Sequence, residues 1–189
     1  MKTNLQNHLL IAMPNLQNSF FKQSVIYICK HDRNGAMGVI INKPIKNLTI
    51  KKILNKLKIN ISSENSTNSL NNPVIIGGPI SEDRGFILHS FKKKFISSIV
   101  ISKDIFVTSS RDVLEYIATH KYSNDMLMTL GYCIWGKNQL ENEILDNIWL
   151  TTSANTKILF DTPLSERWTK SANNIGINMY QLTTDFGHA

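Results

Sequence analysis

The 189-residue chain predicts an α+β fold: a single compact domain with a mixed, largely antiparallel sheet, open to partial closure, and about four packed helices. Three observations carry this. Apolar, β-rich runs at 24–30 and 36–42 bracket Asp32-Arg33-Asn34-Gly35, and Asn-Gly between such runs is a strong hairpin signal. Ile50, Ile53, Leu54 and Leu57 recur at helical spacing, so they share one face of a helix. Strand-like and helix-like segments then intermingle along the rest of the chain, hairpins included, as in an α+β domain.

In chain order, residues 9–12 read as a short strand stopped by Met13-Pro14, and the 24–42 hairpin ends at Pro44. Thr49 is the N-cap of the first helix, whose lysines 51, 52, 56 and 58 surround the apolar face as a solvated surface. Residues 60–72 form a polar, low-complexity stretch, short enough for a surface loop. A domain boundary there would leave 1–59 too little core, so residues 1–189 read as one domain. "VIIGGPISEDRGFILHS" (74–90) reads as strand, turn, strand. Residues 95–101 and 105–110 add two strand-like runs. A second helix starts near Ser109, with Asp112 at capping-box spacing, and buries Val113, Leu114, Ile117 and Ala118. "MLMTLGYCIWG" (126–136) is apolar on both faces and so reads as a central strand. A third helix follows at 138–147, then strands at 148–152 and 157–160. The last helix starts at Pro163 and ends at Gly176.

Composition limits the function classes. The N-terminus has only a short apolar stretch before Pro14, too short for a signal peptide, and no run approaches the ~20 residues of a membrane helix. The expected location is the cytoplasm, without a membrane partner. Net charge is +7, but the basicity comes mostly from lysine in an Asn- and Ile-rich chain. That reads as compositional drift, and sequence-specific nucleic-acid binding is not expected. Only four arginines occur, at 33, 84, 111 and 167. Where lysine is used so freely, an arginine suggests a place that needs a planar fork. Cys29 and Cys133 lie in separate apolar runs without a CxxC pair. They read as buried thiols, with a thiolate at Cys29 as the alternative, because strand alternation puts His31 on its face.

Gly77-Gly78-Pro79 matches neither GxxxxGK[ST] nor GxGxxG and precedes a strand instead of a helix, so it is no phosphate loop. Two glycines before a proline fit a tight turn or bulge. Arg84 and His89 follow five residues apart, so along a strand they face opposite sides. Arg84 is expected to face an anion and His89 to be a hydrogen-bonded structural residue. Gln139 and Glu143, one helical turn apart, can line a pocket mouth beside Trp135. No GxSxG, no HExxH and no clustered histidines point to a hydrolase or a metal, and no cofactor is expected.

"MPNLQNSFFKQSVIYICKHDRNGAMGVIINKPI", "GGPISEDRGFILHS", "TSSRDVLEYIA", "LGYCIWGKNQLENEI" and "ILFDTPLSERW" together resemble the AlgH/YqgE family of bacterial cytoplasmic proteins. The resemblance runs almost end to end and implies one α+β domain. Members are commonly labelled transcriptional regulators through a link to alginate production, and the resemblance implies no reaction. It places Gly77, Gly78, Pro79, Arg84, Phe86 and His89 on a Gly-Gly-Pro motif. Trp135, Gln139, Leu140 and Glu141 fall on a Gly-Tyr-x-Gly-Trp…Gly-Gln-Leu-Glu motif, with Ile134 and Asn138 where the pattern often has glycine. The expected function is regulatory or ligand binding, with a small anionic ligand in a pocket that gathers Asn42, Lys43, Gly77, Gly78, Arg84, Trp135, Gln139 and Glu141. One alternative is an enzyme at that pocket, with His89 or Glu141 as general acid or base. The other is direct nucleic-acid binding.

Overall fold

A single strand organises the sheet. In the computed structural model, which describes residues 4–63, 68–120 and 125–184, strand β9 (Met126–Trp135) is hydrogen-bonded to three others. Before it come β1 (His8–Ala12), β2 (Val25–Asp32), β3 (Gly35–Ile40), β4 (Pro44–Thr49), β5 (Pro73–Ile76), β6 (Ile80–His89), β7 (Ser98–Val100) and β8 (Phe106–Thr108), and after it β10 (Trp149–Ser153). The ten strands run in the order β10-β1-β2-β3-β9-β6-β8-β7, with β4 and β5 to one side of β9. Every pairing is antiparallel except β5 with β9. The fold is therefore α+β, its sheet curled but not closed, since β10 and β7 stand at opposite ends of the order. The helices are α1 (Ile50–Lys56), α2 (Arg111–Thr119), α3 (Gln139–Leu145), α4 (Arg167–Asn173) and α5 (Met179–Thr184).

Strand alternation sorts the apolar residues into three cores. Val25, Tyr27 and Cys29 of β2 pack with Phe86, Leu88 and Val107 from the far half of the sheet, so this inner core lies inside the curl. Ile158, Leu159, Trp168 and Ala172 close it. Ile87, Met126 and Met128 point outward beneath α1 and α2. Ile26, Ile28, Cys133 and Trp135 point outward on the other half, beneath Leu140 of α3.

The sequence reading holds for β1, the β2–β3 hairpin, the central strand and the first three helices. Thr49 does cap α1, its hydroxyl accepting from Lys52 N at 3.4 Å. The N-cap of α2 is Ser110, one residue later than expected. Three elements depart. Pro44 starts β4 instead of ending the region, because β5 arrives from 29 residues further on to pair with it. Residues 157–161 form one π-helical turn, not a strand. A short apolar run cannot reveal its own period, and here all three of Ile158, Leu159 and Phe160 are buried in a plug. The α5 helix was not foreseen. Of the polar 60–72 stretch, residues 64–67 lie outside the described residues, and Asn68–Asn71 make a 3-10 turn.

The Gly-Gly-Pro stretch is not a hairpin turn. β5 and β6 do not pair with each other: β5 lies on one side of β9 and β6 on the other, and Gly77-Gly78 carries the chain across. Gly77 N donates to Leu130 O at 2.6 Å, and Gly77 O accepts from Ile40 N at 2.8 Å. The backbones meet where β9 is kinked by Gly131, at φ +77°. A Cβ on Gly78 would lie 2.1 Å from the carbonyl carbon of Tyr132, and one on Gly131 would lie 2.4 Å from Gly78 O. Neither contact is possible without moving backbone. Gly78→Ala and Gly131→Ala should each destabilise the protein by about 3 kcal/mol or more. Gly136→Ala, whose Cβ would meet only a Gln139 side-chain oxygen at 3.7 Å, should stay within about 0.5 kcal/mol. Urea unfolding of the three variants checks this.

Candidate functional site

The residues expected to share one pocket occupy five separate places. Gly77 and Gly78 are buried at the crossing, and the amide and carbonyl of Gly77 are both spent within the sheet. Arg84 lies on an excursion. β6 pairs Ile80 with Tyr132 and Gly85 with Leu130, so residues 81–84 loop away from β9, with Ser81 at φ +48°. Arg84 is exposed there, its guanidinium 5.3 Å from the Phe86 ring centroid.

His89, five residues on, is sealed from solvent. Its Nε2 lies 2.9 Å from Thr108 Oγ1, and its ring stacks on Phe91 and Phe106 at 4.8 and 5.7 Å. It is the hydrogen-bonded structural residue that the sequence suggested, and its ring has no surface open to a substrate.

Trp135 and Gln139 do come together, in a cleft of about 320 Å³ that Pro79 and Ile80 also line. Glu143 lines it too, beside Trp135 and Gln139 as their spacing suggests, although it is not in the set of residues expected to bind ligand. Glu143 Oε2 accepts from both Trp135 Nε1 at 2.8 Å and Trp149 Nε1 at 2.7 Å, and Oε1 accepts from Gln139 Nε2 at 2.9 Å. Such charge-assisted bonds are among the stronger ones, and they use up the carboxylate in tying α3 to β9 and β10. Glu141 is engaged elsewhere: its Oε1 lies 3.4 Å from His31 Nε2, and His31 Nδ1 accepts from Leu5 N at 2.9 Å.

That placement of His31 also corrects the Cys29 reading. In β2, Ile28 pairs with Gly38 and Lys30 with Met37, so Cys29 is the extra residue of a bulge. The bulge cancels the alternation that put Cys29 and His31 on one face. Cys29 joins the inner core, while His31 bonds to Leu5 of the opposite one. Burial, with a smaller contribution from Cys133, pushes the Cys29 thiol up to about 12. The thiol is therefore protonated and inert at neutral pH.

Asn42 and Lys43 line a different cleft, of about 370 Å³, between the 20–23 turn and the first turn of α4. Asn42 is spent on structure: Oδ1 accepts from Val25 N at 2.8 Å and Nδ2 donates to Gln23 O at 2.9 Å. Lys43 is only part-exposed. Its Nζ donates to Phe20 O and lies 6.0 Å from the Phe20 ring centroid, and desolvation holds the amine below its ordinary pKa. Lys22 lines the same cleft, and no acidic side chain does. Behind it, Arg167 is buried at 2% exposure and donates to Thr162 O and Ile41 O at 3.0 and 2.6 Å. The rule for scarce arginines applies at Arg167, whose guanidinium is spent on two backbone carbonyls. Nothing in the local sequence distinguishes it, because its acceptor Ile41 is 126 residues away. Among the described residues no carboxylate lies within 4 Å of Lys22, Lys43 or Arg167.

Residues 9–180 match the model of the family DUF179, described as AlgH-like. The chain belongs to this family. A UPF0301 protein of Buchnera aphidicola is 63% identical over 187 residues, covering 98% of each chain. Another, of Erwinia tasmaniensis, is 52% identical over 186 residues, covering 98% of this chain and all of that one. The solution structure of AlgH from Pseudomonas aeruginosa superposes with a TM-score of 0.76 at 37% identity, over 100% of this chain and 98% of the other. A crystal structure from Corynebacterium diphtheriae shares the fold alone, at 16% identity and a TM-score of 0.72. In this AlgH-like chain both departures from the glycine pattern are accommodated. Asn138 adopts φ +61° just before α3, a left-handed conformation that asparagine tolerates. Ile134 points outward and is 58% exposed. Among the described residues, no helix is long and apolar enough to cross a membrane, and no three His, Cys, Asp or Glu side chains are grouped to hold a metal ion.

The buried histidine gives this AlgH-like protein an acid-sensitive stability. Desolvation lowers the His89 pKa from its ordinary 6.5 to about 4. As pH falls, the unfolded chain takes up this proton first, so the stability is complete above pH 6.5 and is lost progressively down to about 4. The loss is of order 3 kcal/mol. Denaturant unfolding at stepped pH should show it, and His89→Phe should flatten the slope in that window.

Proposed function

We propose that the protein is a binding domain for a small anionic ligand, seated in the Asn42–Lys43 cleft. One observation carries this: two lysines line a cleft whose lining has no acidic side chain, and one of them, Lys43, is partly desolvated without a carboxylate partner. Withdrawing an ammonium from water costs free energy, and a bound anion restores the lost interaction. Lys43 cannot swing freely toward bulk water, since its Nζ is tied to Phe20 O. The fixed cation of Arg167 adds to the positive character of this end of α4, and the Ser165 hydroxyl lines the cleft as a hydrogen-bonding group.

On this reading a regulatory role runs through the ligand. Direct reading of DNA through a helix-turn-helix needs a recognition helix free to enter the major groove. The longest described helix, α2, turns Val113, Ile117 and Ala118 into the outer core. The alternative of turnover lacks a poised group: His89 is sealed and Glu141 faces His31.

The test is calorimetry and thermal melting with inorganic phosphate, sulfate and small dicarboxylates. A ligand at a hundred times its Kd should raise stability by about 2.7 kcal/mol. Lys43→Gln should weaken binding about tenfold or more and leave the unliganded melting temperature little changed. Affinity should also decline as pH rises through the Lys43 pKa, earlier than for an ordinary lysine at 10.5, because the cation is the binding form. Equal binding by wild type and Lys43→Gln, or no response to any of these anions, would overturn the reading.

A further inference from the structure

The outer face of the β6–β9 pair is interrupted at one position. Gly85, Ile87 and His89 follow the strand period opposite Leu130, Met128 and Met126. Ile87, Met126 and Met128 are buried in the core beneath α1 and α2, so the alternation asks for an apolar side chain at 85. Glycine stands there without a backbone reason. Positive φ among the described glycines occurs at Gly35, Gly131 and Gly176. A Cβ on Gly85 would make ordinary contacts with Met128 Cε at 3.6 Å and Leu130 Cδ2 at 3.8 Å. What the missing side chain leaves is space, continuous with a cavity of about 500 Å³ between α1 and α2.

The floor of this cavity is apolar, formed by Ile87, Met128 and Leu130, with Ile53 on the α1 wall and Leu114 on the α2 wall. Its volume is that of a small-molecule site. The mouth is charged, and its two sides differ in sign. Arg111 Nη2 donates to Leu57 O at 3.4 Å, joining the end of α1 to the start of α2. This side carries Lys56 and Arg111, the latter already paired with Glu115 at 2.9 Å. The 81–84 excursion of β6 brings Glu82 and Asp83 to the lining. Among the described residues neither carboxylate has a cation within 4 Å, and Lys56 has no carboxylate within that distance. Unpaired charges of opposite sign therefore line one apolar cavity without neutralising each other.

We propose that this cavity binds a zwitterionic molecule with an apolar body: an apolar amino acid or a short apolar peptide with free ends. Its ammonium meets Glu82 and Asp83, its carboxylate meets Lys56, and its side chains occupy the space at Gly85. The cavity shares no lining residue with the Asn42–Lys43 cleft, so the two readings stand or fall separately.

Isothermal titration of the full chain with leucyl-leucine, its N-acetyl form and its C-terminal amide tests the proposal. The free dipeptide should bind, and each blocked form should bind about tenfold more weakly or worse. Gly85→Leu should abolish binding while melting at or above the wild-type temperature, because the new side chain fills an existing apolar space. If Gly85→Leu does not fold, the exposed double substitution Glu82→Gln, Asp83→Asn decides: it should keep the wild-type melting temperature and lose about tenfold or more in affinity. No binding of leucyl-leucine at millimolar concentration, equal binding of the blocked forms, or wild-type affinity in the folded variants would overturn it.

Discussion

Everything in this fold depends on two stretches of backbone passing at a distance that admits no side chain. Gly77 and Gly78 cross β9 at Gly131, with carbonyl oxygens lying where any Cβ would have to stand. The crossing lets β5 run parallel on one side of β9 and β6 antiparallel on the other, with no helix between them. The parallel pair keeps the long crossover such a connection needs, since β6, β7, β8 and α2 lie between β5 and β9 in the chain. The short step is from β5 to β6, a three-residue link whose glycines lose more backbone freedom on folding than other residues.

The same point sets which core each residue joins. Before Gly131, the even-numbered residues Met126 and Met128 face the outer core under α1 and α2, and Leu127 faces the inner one. After it the parity inverts: Tyr132 packs on the inner core, and Cys133 and Trp135 on the third. One strand thus supplies all three cores. β2 shows the same device at its Cys29 bulge, where the shift carries His31 to the face of Leu5. Local breaks in alternation, more than helices, curl this sheet and aim its polar side chains.

The polar groups divide accordingly. Those committed to packing, Glu143 between two indoles, His89 stacked among phenylalanines and bonded to Thr108, and Arg167 on two carbonyls, fasten elements together. Those left with unspent charge lie at the margins: Lys43 beside the 20–23 turn, and Lys56, Glu82 and Asp83 around the gap at Gly85. Binding chemistry can draw only on the second group, because the first is already committed to holding the fold.

The sequence by itself determined the α+β class, the β2–β3 hairpin, the central strand and the first three helices, and it singled out the Gly-Gly-Pro motif. Those rest on periodicity, turn chemistry and caps, all of which act over a few residues. It also brought Trp135 and Gln139 together, since one turn of chain joins them. Only the tertiary structure decided that Gly77-Gly78 is a crossing and not a turn, that Cys29 and His31 part company, and that Arg167 is the arginine spent on backbone carbonyls. Each of these depends on a partner far along the chain: Gly131 for the glycines, the shifted register against β3 for Cys29, and Ile41 for Arg167. No local pattern records such a partner, because the interaction exists only once the sheet has brought the two segments into contact.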